Sequence, residues 1–136
     1  MIRQIQFGLQ HAIQSEQVGK EWQHVIAEQA RLLERILHQV VTTVSDIQKS
    51  GDALEQRRHR LAPVFEEASR LLAARAQHHA RLESKIAGVR GCLGPSRSIP
   101  PGADRRLRIM EQVNATLHAN LALARQRVAV LREANL

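Results

Sequence analysis

Little in this chain favours strands or covalent bracing. Its 136 residues hold only three aromatics, Phe7, Trp22 and Phe65, and no tyrosine, so the ring side chains that pack well on a pleated surface are scarce. Seven glycines and four prolines are too few for a turn-rich all-β domain. The lone cysteine, Cys92, excludes an internal disulfide and any CxxC metal or redox pair. No apolar run reaches the roughly 18 residues needed to span a bilayer, and residues 1–10 lack a continuous apolar stretch that would serve as a signal peptide. A cytoplasmic location is therefore expected.

What the chain does contain is helix formers. Ala, Leu, Arg, Gln and Glu dominate, hydrophobic residues make up 43% and charged residues 24%, and the length suits one domain. The expected class is all-α. Charge is the unusual bulk property: Lys and Arg total 20 against 13 Asp and Glu, for a net charge of +7. The excess lies in the last two thirds and is interspersed with acids. Nucleic-acid sites usually combine a basic stripe with stacking aromatics or a groove-reading motif, and neither is present. Nucleic acid is accordingly ranked third among partner classes.

Three helices and one loop follow from spacing. In the first, over 19–49, Ile26, Leu33, Val40 and Ile47 share one heptad position, with Trp22 and Ile36 on the companion position and Val25, Leu32, Leu37 and Val44 flanking. A stripe that wide predicts a helix buried by two neighbours. Upstream, Ile2, Ile5, Leu9 and Ile13 continue a helical spacing, but Gly8 and Gly19 each cost about 1 kcal/mol relative to Ala, so residues 1–18 are expected to fray or fold back. Ser50-Gly51-Asp52 predicts a turn, with Gly51 left-handed and Asp52 capping the next helix.

The second helix, 52–90, carries Leu54, Leu61, Val64, Phe65, Ala68, Leu71, Leu72, Leu82, Ile86 and Val89. Pro63 predicts a kink or short break near Arg60. Residues 91–102, with Gly91, Gly94, Pro95, Pro100, Pro101 and Gly102, read as a loop. The third helix, 103–133, has a strict seam: Leu107, Asn114, Leu121 and Val128 repeat at seven, and Met110, Leu117, Ala124 and Leu131 repeat at seven three residues later. The architecture expected is an elongated antiparallel three-helix bundle or coiled coil, with a Gly/Pro-rich loop before the last helix.

Sites for chemistry are thin. No two of the seven histidines stand three or four residues apart as helical zinc ligands do, and no phosphate loop, paired catalytic carboxylate or nucleophile elbow occurs. Neither catalytic residues, nor a cofactor, nor a metal is expected. Cys92 has no oriented base beside it in sequence. Arg57-Arg58-His59-Arg60 and Arg105-Arg106-Leu107-Arg108 read as solvated helix faces more readily than as binding sites. Arg75, His78 and His79 interrupt the apolar stripe of the second helix. Two readings stay open for them: a polar layer that sets register, or a local rotation that turns them to water. Asn114 on the seam and Asn120 beside it also leave two readings open: buried residues that select one register or partner, or half-exposed residues at a loosely packed seam.

The layout resembles the FlgN-type flagellar export chaperones. The residues that carry the resemblance are Leu32-Leu33-Glu34 in the first helix, Ser50-Gly51-Asp52-Ala53-Leu54 at the turn, and Asn120-Leu121-Ala122-Leu123-Ala124-Arg125 in the third helix. The resemblance implies a non-enzymatic chaperone that binds the amphipathic helical C-terminal segment of hook–filament junction subunits and delivers them to the type III export gate. The partner-binding residues it points to are Leu117, Asn120, Leu121, Ala124, Val128 and Leu131. Two alternatives remain: a structural coiled-coil stalk or adaptor of a secretion apparatus that self-associates, and a basic helical nucleic-acid-binding protein.

Overall fold

The computed structural model describes residues 20–93 and 100–136. Three helices pack on one another, α1 (Lys20–Lys49), α2 (Leu54–Leu93) and α3 (Pro101–Asn135), and the described residues contain no strand. At 1.5 Å per residue, helices of 30, 40 and 35 residues give a long bundle rather than a sphere. The amphipathic segment read at Ile2 to Ile13 lies outside the described residues. Among the described residues, no helix is long and apolar enough to cross a membrane.

The α1–α2 corner forms as its turn residues dictate. Gly51 takes φ +77°, the left-handed conformation that closes a helix without a Cβ penalty. Asp52 works differently from expectation. Its Oδ2 accepts from Arg60 Nη1 at 2.6 Å and its backbone oxygen accepts from Arg57 Nε at 2.7 Å, so it staples the start of α2 through side chains instead of capping free N–H groups. The Arg60 hydrogen bond, then that of Ser50, holds the Asp52 carboxyl below its ordinary range.

Of the kink or break expected at Pro63, the break does not occur: the helix runs through Pro63. An interior proline costs about 3 kcal/mol, but Leu61, Phe65, Ala68 and Leu72 on either side of it are all buried, and each large apolar side chain contributes about 1.5–3 kcal/mol on burial. Packing therefore outweighs the local defect. The loop also shrinks, because α2 continues through Gly88 and Gly91 to Leu93, which places Cys92 in the last helical turn, exposed. Two contacts anchor that extension: Ile86 is buried, and Arg90 reaches across to Glu111 and, at 3.5 Å, Asp104 of α3. α3 begins two residues early, at Pro101 after Pro100. Proline suits a first helical position, where its missing N–H would have had no partner anyway.

The core comes in two pieces. The larger combines Leu33, Leu37, Val40, Val44 and Ile47 of α1 with Leu61, Phe65, Ala68 and Leu72 of α2 and Leu121, Ala124 and Val128 of α3. The smaller holds Ile26, Val113 and Leu117, with Trp22, Leu82 and Ile109 packed on it. Side-chain pairs such as Gln29 with Asn120 and Gln48 with Asn135 run in step along α1 and α3, so α3 lies parallel to α1 and antiparallel to α2.

Candidate functional site

Between the two core pieces all three helices meet in a polar layer. Gln29 of α1 stands on the heptad position shared with Trp22 and Ile36, one turn after Ile26, and it is buried. Its Nε2 lies 3.0 Å from His79 Nε2 of α2 and donates to the Leu117 backbone oxygen of α3 at 2.8 Å. Its Oε1 accepts from Asn120 Nδ2 of α3 at 3.4 Å. One carboxamide thus links the three helices.

His79 is 3% exposed and Asn120 1% exposed, and Asn114, also buried, lies nearby along α3. The rings of His78 and His118 flank His79, with centroids 5.7 and 6.0 Å away, and His118 Nε2 sits 3.3 Å from Glu83 Oε2. Burial, followed by the charges available on His78, His118 and Arg75, pushes the His79 pKa down to about 4. His79 is therefore neutral in the folded chain. Asn114 Oδ1, Asn120 Oδ1 and His79 Nδ1 are buried without a protein hydrogen-bond partner. Each such atom costs about 1–3 kcal/mol, so α3 is seated on an incompletely satisfied layer.

The layer has a consequence for stability. An unfolded His79 takes up a proton near pH 6.5 while the folded one resists until about pH 4, so stability is full above pH 6.5 and is lost as pH falls through that window. Urea unfolding at pH 7 and pH 4 is expected to differ by about 3 kcal/mol from this group. A difference that survives unchanged in His79→Gln would assign it to the carboxylates instead.

Of the open sequence readings, the layer decides two. His79 is buried while His78 is exposed and Arg75 half-buried, so the rotation that would have turned all three to water does not occur. Asn114 and Asn120 are buried rather than half-exposed. Sequence reasoning passed over Gln29, whose signal was a polar residue inside an apolar repeat. It also passed over Val113 and Thr116, which are buried off the strict seam because α3 contacts both neighbours.

The six residues expected to bind a partner come together on one face of α3, but that face is covered. Leu117, Asn120, Leu121, Ala124 and Val128 are buried against α1 and α2, and Leu131 packs partly buried on the larger core. The basic clusters behave as solvated faces: Arg58, Arg60, Arg105, Arg106 and Arg108 are exposed, with Arg60 on Asp52 and Arg108 on Asp104 at 3.0 Å. Among the described residues, no group of three or more His, Cys, Asp or Glu is arranged to hold a metal. No family model, curated protein or solved structure matches the chain.

Proposed function

We propose that this protein is a non-enzymatic export chaperone that exchanges its own α3 for a client helix. The client is the amphipathic helical C-terminal segment of a hook–filament junction subunit, held until delivery to the type III export gate. The observation that carries the reading is the way α3 is seated. Its apolar face fits the α1/α2 hairpin, yet His79 Nδ1 beneath it and Asn114 Oδ1 and Asn120 Oδ1 on α3 itself are buried without a protein hydrogen-bond partner. A helix docked on such a layer is the one most easily traded for another with the same apolar spacing. An unassembled subunit exposes an amphipathic segment that self-associates, and the vacated seam would cover it. The identity of the client rests on the resemblance carried by Leu32-Leu33-Glu34, the Ser50 to Leu54 turn and Asn120 to Arg125.

One observation favours a second reading, a structural coiled-coil stalk or adaptor: the seam residues are already buried within the chain, and such a rod has no need to release them. A cross-link separates the two. Gln48 Nε2 donates to Asn135 Oδ1 between α1 and α3, so Gln48→Cys with Asn135→Cys, in a Cys92→Ser background, would let a short bis-maleimide bridge pin α3 to α1. A labelled C-terminal segment of a junction subunit is expected to bind the unbridged protein and to lose at least tenfold in affinity, about 1.4 kcal/mol, when the bridge is in place. Equal binding in both forms, or none in either, would exclude helix exchange.

A further inference from the structure

The hydrogen-bond directions at Gln29 are set by its partners. The Leu117 backbone oxygen accepts only, so the Gln29 group 2.8 Å from it must be the amide nitrogen. The same nitrogen faces His79 Nε2 at 3.0 Å, which uses the second amide hydrogen and requires His79 Nε2 to accept. Rotating the carboxamide by half a turn would set two oxygens against each other at Leu117. It would also turn a donor toward Asn120 Nδ2, which now donates to Oε1. The arrangement therefore tolerates one protonation state of His79. A proton on Nε2 places two donors face to face, and no local flip relieves them.

We propose that the Gln29–His79–Asn120 node is an acid-sensitive latch: protonation of His79 at Nε2 displaces the Gln29 carboxamide, whose bonds to the Leu117 backbone oxygen and to Asn120 hold α3, and so releases α3 from the α1/α2 hairpin. The inference does not depend on what the chain binds. The groups acting on His79 reinforce it. From α2, His78 and Arg75 act on the ring, and from α3, His118 does, and each disfavours a positive charge on His79. Glu83 is engaged by His118. The α1 group in hydrogen-bond contact with the ring is neutral Gln29. Nothing at the node welcomes a charged imidazole until α3 lifts and water reaches it. With an ordinary value of 6.5 when exposed and about 4 when docked, the docking equilibrium is expected to fall roughly 50-fold between pH 7 and pH 4.5.

The chain carries its own reporter. Trp22 is the only tryptophan, and it packs on Ile26 and on Val113 and Leu117 of α3, beside the node. Lowering the pH of the full chain from 7 to 4 is expected to shift Trp22 emission to the red, reversibly, while far-UV circular dichroism retains the helix of the hairpin. His79→Gln is expected to keep its emission constant over that range. His118→Gln, which removes the Glu83 pair but leaves the Gln29 bond, should still show the shift. Arg90 also ties α2 to α3 through Asp104 and Glu111, and His79→Gln, which leaves those pairs intact, separates their part from that of the node. If His79→Gln does not fold, nuclear magnetic resonance of the wild-type imidazole decides: the His79 ring must titrate together with the Trp22 shift. The latch is overturned if wild type and His79→Gln shift alike. It is also overturned if no shift occurs down to pH 4, if the ring titrates apart from Trp22, or if all helix is lost in the same step.

Discussion

Leu33→Asp is expected to unfold the whole chain, whereas Leu121→Asp is expected to free α3 and leave a helical α1/α2 hairpin. Leu33 is 0% exposed and sits in the larger core among residues of all three helices. A carboxylate there has neither partner nor water, which costs several kcal/mol, a large share of the 5–15 kcal/mol typical of a domain. α1 cannot swing away to hydrate it, because the short turn between Lys49 and Leu54 ties α1 to α2. Leu121 belongs to the same core, so the initial penalty is similar. Its relief differs. Lifting α3 exposes residue 121 to water while Leu37, Val44, Ile47, Leu61, Phe65 and Leu72 keep their contacts between α1 and α2. Circular dichroism at pH 7 should show near-complete loss of helix for Leu33→Asp, and for Leu121→Asp a loss no larger than the share of α3. If Leu121→Asp unfolds as completely as Leu33→Asp, α3 is integral to the fold. Helix exchange then fails in favour of a structural coiled coil.

Truncating Phe65 should be the most damaging conservative change. Among the described residues Phe65 is the largest fully buried side chain, and it stands two residues after Pro63, where α2 lacks a backbone donor. Phe65→Ala removes the transfer free energy of a ring and leaves a cavity between helices held at their ends, a combination that costs about 3–5 kcal/mol. Leu54→Ala is the control. Leu54 is 60% exposed, and surface changes of this kind fall within about 0.5 kcal/mol. Urea unfolding of the two variants checks the contrast. A loss below about 1 kcal/mol for Phe65→Ala would mean that α2 is rotated about Pro63 and that the larger core is assembled from a different face.

Periodicity made the faces legible. Ile26, Leu33, Val40 and Ile47 were placed in the core by a repeat of seven, and each is buried. Leu107, Asn114, Leu121 and Val128 behave the same way on α3. Such a pattern is written once every two turns and needs no knowledge of the neighbour. The polar layer was half legible. His79 and Asn120 were marked as polar residues in or beside apolar stripes, but their partner Gln29, 50 residues from one and 91 from the other, could be paired with them only by the way α1, α2 and α3 come together in space.

The sequence by itself determined that the described residues form three helices, that Gly51 closes the first, and most of the face of each that turns inward, although Val25, Leu54 and Val89 of the apolar stripes are exposed. These are local properties, set by side-chain spacing and by the conformational freedom of one glycine. Tertiary structure alone decided that α2 passes through Pro63 and on to Leu93, that α3 starts at Pro101, and that the seam from Leu117 to Leu131 is covered by the chain's own hairpin. It also decided that one carboxamide joins all three helices at His79. Each of these outcomes balances a local cost against burial or hydrogen bonding supplied by a distant helix. That balance is struck only when the helices are in contact.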